Sequence, residues 1–291
     1  MENLNVYDVI VIGAGPAGIT ASLYTQRANL NTLVIYYGFS SIEKAKKIEN
    51  YYGFKNGISG DVLYNEGIKQ AESLGVDIKK EEVIRIQMDN SNFKVITTNN
   101  QYLSKSVILA TGNKKNKPEI QGIDKFEGKG ISYCAICDGF FYRNKIVGVL
   151  GSGNYAIAEL NDLINIAKKI VLLTNGESAP NFRADNVEIN TKKIKELLGE
   201  KRIEKVKFSD DTNINIDGIF IAQGVASSSD FAKKLGIFLN KDKIVVNENM
   251  ETNIKGIYAC GDCIGGTLQI SKAVYDGMRA GLQVIQYLRK V

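Results

Sequence analysis

The segment YDVIVIGAGPAGITASLYTQRANLNTLVIYY, residues 7–37, decides the fold. Val9–Ile12 form an apolar run short enough for one buried strand. Gly13-Ala14-Gly15-Pro16-Ala17-Gly18 then carries glycines at the first, third and sixth places, Ile19–Ala28 reads as a helix, and Thr32–Ile35 reads as a second strand. Strand, glycine turn, helix and strand in this order make the βαβ unit of a dinucleotide-binding domain. Glycines let the backbone close on a pyrophosphate, and the helix start offers amide donors at the positive end of its dipole. The acid expected to hold a ribose at the end of the second strand is missing. Tyr36 and Tyr37 stand there instead.

A second unit follows at KIVGVLGSGNYAIAELNDLINIAKKIVLL, residues 145–173. Gly151-x-Gly153-x-x-Ala156 repeats the fingerprint, but its strand runs into Thr174-Asn175-Gly176. That end has neither a carboxylate suited to NAD nor an arginine suited to a 2′-phosphate. Between the units, GISGDVLYNEGIKQAESLG is predicted as an amphipathic helix. EEVIRIQMDNSNFKVITTNNQYLSKSVILATG alternates like antiparallel strands with turns at DNSN and NN. The lysine-rich NKKNKPEIQGIDKFEGKG reads as a linker, and KKIKELLGE as one brief helix. GIYACGDCIGGTLQISKAVYDGMRAGLQVIQYL, residues 256–288, ends the chain as strand, turn and long helix.

Composition narrows the chemistry. The 291 residues suffice for two domains, and no apolar run is long enough for a membrane span. The first apolar stretch, residues 9–19, is too short and glycine-rich for a secretory signal, and a cytoplasmic protein is expected. The net charge of +5 is mild, and no basic helix or aromatic platform points to nucleic acid. There is no histidine, which removes Ser-His, Cys-His and His-metal chemistry. Any general acid must then be a carboxyl, lysine, tyrosine or thiol.

Four cysteines form two C-x-x-C pairs, Cys134/Cys137 and Cys260/Cys263. Two intervening residues let a disulfide close across one helical turn, and a helix start acidifies a thiol. Asp138 follows directly and can give or take a proton. A zinc site needs a second pair at compatible spacing, yet the two pairs lie more than 120 residues apart. An inert buried pair is the remaining alternative for Cys134/Cys137. For Cys260/Cys263, packed thiols and an auxiliary disulfide both stand.

The blocks GAGPAGITASLYTQRANLNTLVI, IENYYGFKNGISGDVL, VILATGN, ISYCAICDGFFYRNKIVGVLGSGN and GIYACGDC…LQISKAV occur in one order across nearly the whole chain. In this the chain resembles the low-molecular-weight thioredoxin reductases. The resemblance implies an α/β fold of two Rossmann-like, FAD/NAD(P)-type three-layer domains, the second inserted in the first and shortened. Residues 1–112 and 224–291 would bind FAD, and residues 113–223 would carry the redox disulfide. It further implies a homodimer that reduces thioredoxin.

Carried over residue by residue, Cys134 and Cys137 match the redox pair, with Cys137 facing the flavin, and Asp138 matches the acid-base residue. The pyrophosphate loop is Gly13, Ala14, Gly15, Pro16, Ala17 and Gly18, with Tyr36 at the variable position beyond it. Asn50 lies on the flavin side and Val83 at the adenine. Ala110, Thr111 and Gly112 form the crossing segment. Gly261 and Asp262 would hold the ribityl chain, Gln269 would lie beside the ring, and Ile270 is carried over as a further cofactor-binding residue.

The family's NADPH users carry His-Arg-Arg-x-x-x-Arg after the second fingerprint, and only NFRA, with Arg183, remains here. The chain in this respect resembles the ferredoxin-linked clostridial branch. That implies reduced ferredoxin as donor, with Lys114, Lys115 and Lys117 steering an acidic partner. The rival readings are an NADPH enzyme with a degenerate motif and a flavin redox sensor without turnover.

Overall fold

A computed structural model describes residues 6–113 and 118–290. Lys114, Lys115 and Lys117 lie outside the described residues. The chain divides into two compact units, residues 1–114 with 227–291, and residues 115–226.

The first unit begins with β1 (Val6–Ile12), α1 (Pro16–Arg27) and β2 (Thr32–Tyr36). It continues through α2 (Gly60–Ser73), β3 (Asp77–Lys80), β4 (Val83–Asp89), β5 (Asn92–Thr97) and β6 (Gln101–Leu109). β1 is parallel to β2 and to β6, with Val9 beside Thr32 and Ser106. The strand order is β3-β2-β1-β6-β5-β4. Val9–Val11 and Leu33–Ile35 are fully buried, because a parallel sheet is covered on both faces and needs continuous apolar runs rather than alternation. β4, β5 and β6 pair antiparallel, and β5 alternates in burial.

The second unit contains α3 (Ile123–Phe126), β7 (Ile131–Ser132), α4 (Ala135–Asp138), β8 (Ile146–Leu150), α5 (Asn154–Leu163) and β9 (Lys169–Leu173). β10 (Val187–Asn190), β11 (Ile194–Leu198), β12 (Lys205–Phe208), β13 (Asn213–Asn215) and β14 (Gly218–Ile221) follow. A parallel sheet of order β10-β9-β8-β14-β7 forms the centre, and β11-β12-β13 make an antiparallel sheet.

The chain then re-enters the first unit with α6 (Ser228–Leu235), the hairpin β15 (Leu239–Asn240) and β16 (Lys243–Ile244), β17 (Ile257–Ala259) and α7 (Ile270–Leu288). β17 pairs parallel with β6 and places the turn after Ala259 beside Leu109.

Two expectations are corrected. KKIKELLGE is not a helix, because residues 194–198 are the strand β11. Ile194 and Leu197 are three apart, the spacing of a helix face, and both are buried. A bulge between Ile194 and Glu196 puts them on one side of a strand instead. Nor is the lysine-rich stretch only a linker. Ile120, Ile123 and Phe126 are buried in the core of the second unit, two of them on α3.

Candidate active site

The first glycine turn forms a cradle at the C-terminal end of β1. A Cβ on Gly18 would stand 1.9 Å from Gly13 O, so no side chain fits between helix and strand. A Cβ on Gly15 meets only Ser40 Oγ, at 3.6 Å, which leaves the outer side of the turn open. Pro16 opens α1 at N1, Gly15 at its N-cap makes no side-chain bond, and no acid lies in the first turn. The helix start therefore presents amides and positive dipole potential to an anion. Ala14 and Ala17 are buried beneath it.

The flanking residues come from distant parts of the chain. Asn50 Nδ2 donates to Gln269 Oε1 at 3.1 Å across 219 positions. Gln269 is the N-cap of α7, and Ile270 is its first residue. Ala110 continues β6, with its amide donating to Ile12 O at 2.8 Å. Thr111 Oγ1 is bonded to Ser228 Oγ, and Gly112 has a positive φ of 74°. Val83 is buried at the start of β4, paired with Thr97. Tyr36 meets Tyr64 edge-on at 6.5 Å. Burial pushes the Tyr36 phenol up, helped by the nearby Glu72 and Glu43 carboxylates.

The turn Gly261–Ile264 carries Asp262, which is half-buried. Sequence reasoning missed what holds this turn. Asp276, buried on α7, accepts from Gly261 N at 3.2 Å and pairs with Lys272 at 2.7 Å. Lys272 Nζ also donates to Gly261 O at 3.1 Å and to Gly265 O at 2.6 Å. The i, i+4 spacing of Lys272 and Asp276 was visible, but their target was not. Ser40 and Glu43 were also missed. They form a capping box beside Gly15, readable as S-x-x-E in SSIE.

In the second unit Cys134 and Cys137 form a disulfide, with Cα atoms 5.3 Å apart. Cys134 is buried and is the N-cap of α4, where its Sγ accepts from Cys137 N at 3.1 Å. Cys137 is exposed. Ser132 Oγ donates to Asp138 Oδ2 at 2.7 Å and receives Cys134 N at 3.1 Å. One serine thus ties the acid to the disulfide turn. Ile136, Phe140 and Phe141 stand out around it, 52%, 68% and 68% exposed.

The second glycine turn leads into a different arrangement. Residues 174–177, where the specificity residues were expected, are bonded to one another and to neighbouring parts of their own unit. Thr174 Oγ1 donates to Glu177 O at 2.6 Å, and Gly176 N to Thr191 O at 3.1 Å. Asn175, at φ 53°, uses its Oδ1 to accept Ile194 N at 2.8 Å. Glu177 accepts from Ser152 in the glycine turn itself. β10 pairs directly with β9, and no helix is assigned between them.

Cys260 and Cys263 are free, buried thiols. Cys263 Sγ donates to Cys260 O at 3.2 Å and Leu109 O at 3.4 Å. Burial pushes both thiols up, Cys260 well above its ordinary range and Cys263 to about 11. The described residues contain no acidic, cysteine or histidine cluster suited to a metal. They also contain no helix long and apolar enough to cross a membrane.

A nucleotide cradle in one unit and a C-x-x-C disulfide with its acid in another define a flavoprotein disulfide oxidoreductase. The glycine turn fits FAD by its open outer face and unpaired helix start. The family model "Pyridine nucleotide-disulphide oxidoreductase" matches residues 7–277. The chain is 37% identical to the thioredoxin reductase of Ureaplasma parvum, over 99% of each chain. Two solved structures resemble it over nearly their full lengths. One is the atypical thioredoxin reductase TRi of Desulfovibrio vulgaris, at 34% identity, TM-score 0.91 and 98% coverage of both chains. The other is a ferredoxin-flavin thioredoxin reductase of Clostridium acetobutylicum, at 32% identity, TM-score 0.73 and 98% and 99% coverage. The chain belongs to the pyridine nucleotide-disulphide oxidoreductases, within the low-molecular-weight thioredoxin reductase family, and its cofactor is FAD.

Proposed function

We propose that this chain reduces the disulfide of thioredoxin with electrons from reduced ferredoxin and does not use NADPH. The observation that carries the donor assignment is the closed turn at residues 174–177. Its side chains and amides bond to the unit itself, and it offers no arginine to a 2′-phosphate. Each missing charge-assisted bond removes about 1.5–3 kcal/mol, so two or three weaken binding by orders of magnitude.

Gly13–Gly18, Tyr36, Asn50, Val83, Ala110–Gly112, Gly261, Asp262, Gln269 and Ile270 are proposed to hold FAD. When bound, FAD takes electrons singly and yields them in pairs, joining a one-electron donor to a disulfide. Two electrons and two protons from solvent convert the Cys134–Cys137 bond to two thiols, one of which ionises to the attacking thiolate. One thiolate attacks the substrate disulfide, and the second displaces it from the mixed disulfide. The cysteine pair is thereby reoxidised, and thioredoxin leaves as a dithiol. Asp138, held by Ser132, carries the exchanged proton. The exposed Ile136, Phe140 and Phe141 suit docking of a protein substrate around the disulfide. The working form is taken as a cytoplasmic homodimer.

An anaerobic titration tests the proposal. Flavin absorbance is followed with NADPH, NADH and reduced ferredoxin in turn, and oxidised thioredoxin is then added. Bleaching by ferredoxin alone, followed by reoxidation with thioredoxin, is expected. Rapid bleaching by micromolar NADPH overturns the donor assignment. No reoxidation by thioredoxin overturns the substrate.

A further inference from the structure

Helix α5 follows a glycine turn of the nucleotide-binding kind, yet one of its faces serves the disulfide. Tyr155, Glu159 and Leu163 are spaced i, i+4 and i+8, and all three are buried. Tyr155 Oη lies 3.5 Å from Tyr133 O, just before Cys134. Leu163 packs under Gly139, where a Cβ would come within 3.2 Å of its Cδ2. Between them, Ala135 N donates to Glu159 Oε2 at 2.7 Å. Ala135 is the first residue of α4, and it is buried. The first amides of a helix have no partner within it, and water does not reach a buried one. Glu159 is fully buried and supplies that partner from 24 positions away.

We propose that Glu159 is a positioning residue for the redox pair. By holding Ala135 N–H it fixes the first turn of α4, and this keeps Cys137 N–H aimed at Cys134 Sγ. After reduction, that amide favours the thiolate at Cys134. The inference rests on Cys134–Cys137 being the working pair. It assigns the helix of the second fingerprint a task in disulfide chemistry. The titratable groups around the turn are Tyr133, Cys137 and Asp138 next to Cys134, Tyr142 in the turn that follows, and Tyr155 and Glu159 on α5, and the test changes only Glu159.

The holoprotein is reduced with dithiothreitol and alkylated with iodoacetamide from pH 5 to 10. Peptide masses then report Cys134 and Cys137 separately. Glu159→Gln keeps an acceptor for Ala135 N–H and is expected to match the wild-type Cys134 midpoint. Glu159→Leu removes the acceptor. It is expected to raise that midpoint by about one pH unit and slow alkylation of Cys134 at pH 7 about tenfold. A wild-type midpoint in a folded Glu159→Leu protein overturns the proposal. So does a Glu159→Gln shift of one unit or more, which decides the matter even where Glu159→Leu does not fold. Alkylation needs neither donor nor thioredoxin. A failure of the proposed function therefore shows in turnover, and a failure of this inference shows in the midpoint.

Discussion

Replacing Asp276 by leucine is expected to loosen the Gly261–Ile264 turn, proposed to hold FAD, and to shed FAD on heating. Asp276 does two things: it receives Gly261 N at 3.2 Å, and it pairs with Lys272 at 2.7 Å. Its side chain is 4% exposed, while that of Lys272 is 23% exposed. Losing one partner of a fully buried ion pair costs about 3–5 kcal/mol. Lys272 keeps its bonds to Gly261 O and Gly265 O and some access to water, so the expected cost is lower, about 2–4 kcal/mol. For a unit of this size each kcal/mol moves Tm by roughly 2–4 °C, giving a fall of roughly 4–16 °C. The assay is a thermal melt of the holoprotein, with flavin fluorescence reporting release and circular dichroism reporting unfolding. Lys69→Met serves as control. It breaks the Lys69–Glu66 pair, whose side chains are 69% and 61% exposed, and no measurable change in Tm is expected. A Tm for Asp276→Leu within 2 °C of wild type refutes the clamp.

Cys137→Ser is expected to retain FAD and lose disulfide reduction, measured as flavin content and reoxidation by thioredoxin. Gly18→Ala brings a Cβ to 1.9 Å from Gly13 O and is expected to yield protein without bound flavin, read from the absorbance of the purified chain. Cys260→Ser is expected to keep turnover, because the thiol is buried and lies outside the disulfide. Cys263 titrates at about 11 folded against 9.0 ordinarily, so the folded chain holds a proton that the unfolded chain releases. Its stabilising effect is complete below pH 9.0 and is lost as pH rises towards 11. Melts between pH 7.5 and 10.5 should show a steeper alkaline decline in wild type than in Cys263→Ala.

The parts legible in the sequence were those with local causes. A glycine turn between strand and helix has a fixed spacing, because the backbone must close there within a few residues. Hence α1, β1 and β2 were readable from residues 7–37 alone. The Cys134–Cys137 disulfide was readable for the same reason, since two intervening residues bring the sulfurs together on one turn. The arginines missing after β9 were also plain, because absence of charge needs no coordinates.

Tertiary structure decided whatever depended on a distant partner. Ile194 and Leu197 carry a helical spacing, and only the bulge opposite β12 turns them into a strand face. Ile120, Ile123 and Phe126 looked incidental among lysines until the core of the second unit claimed them. Asn50 meets Gln269, and Asp276 meets Gly261, through folds of the chain that no local pattern records. The second fingerprint shows the division most clearly. Its glycines established by spacing that a helix follows a strand closely. What that helix holds was set by the face it turns inward, where Glu159 receives the amide beside Cys134. Burial denies such an amide water, so its partner must come from elsewhere in the chain, and here it is the Glu159 side chain.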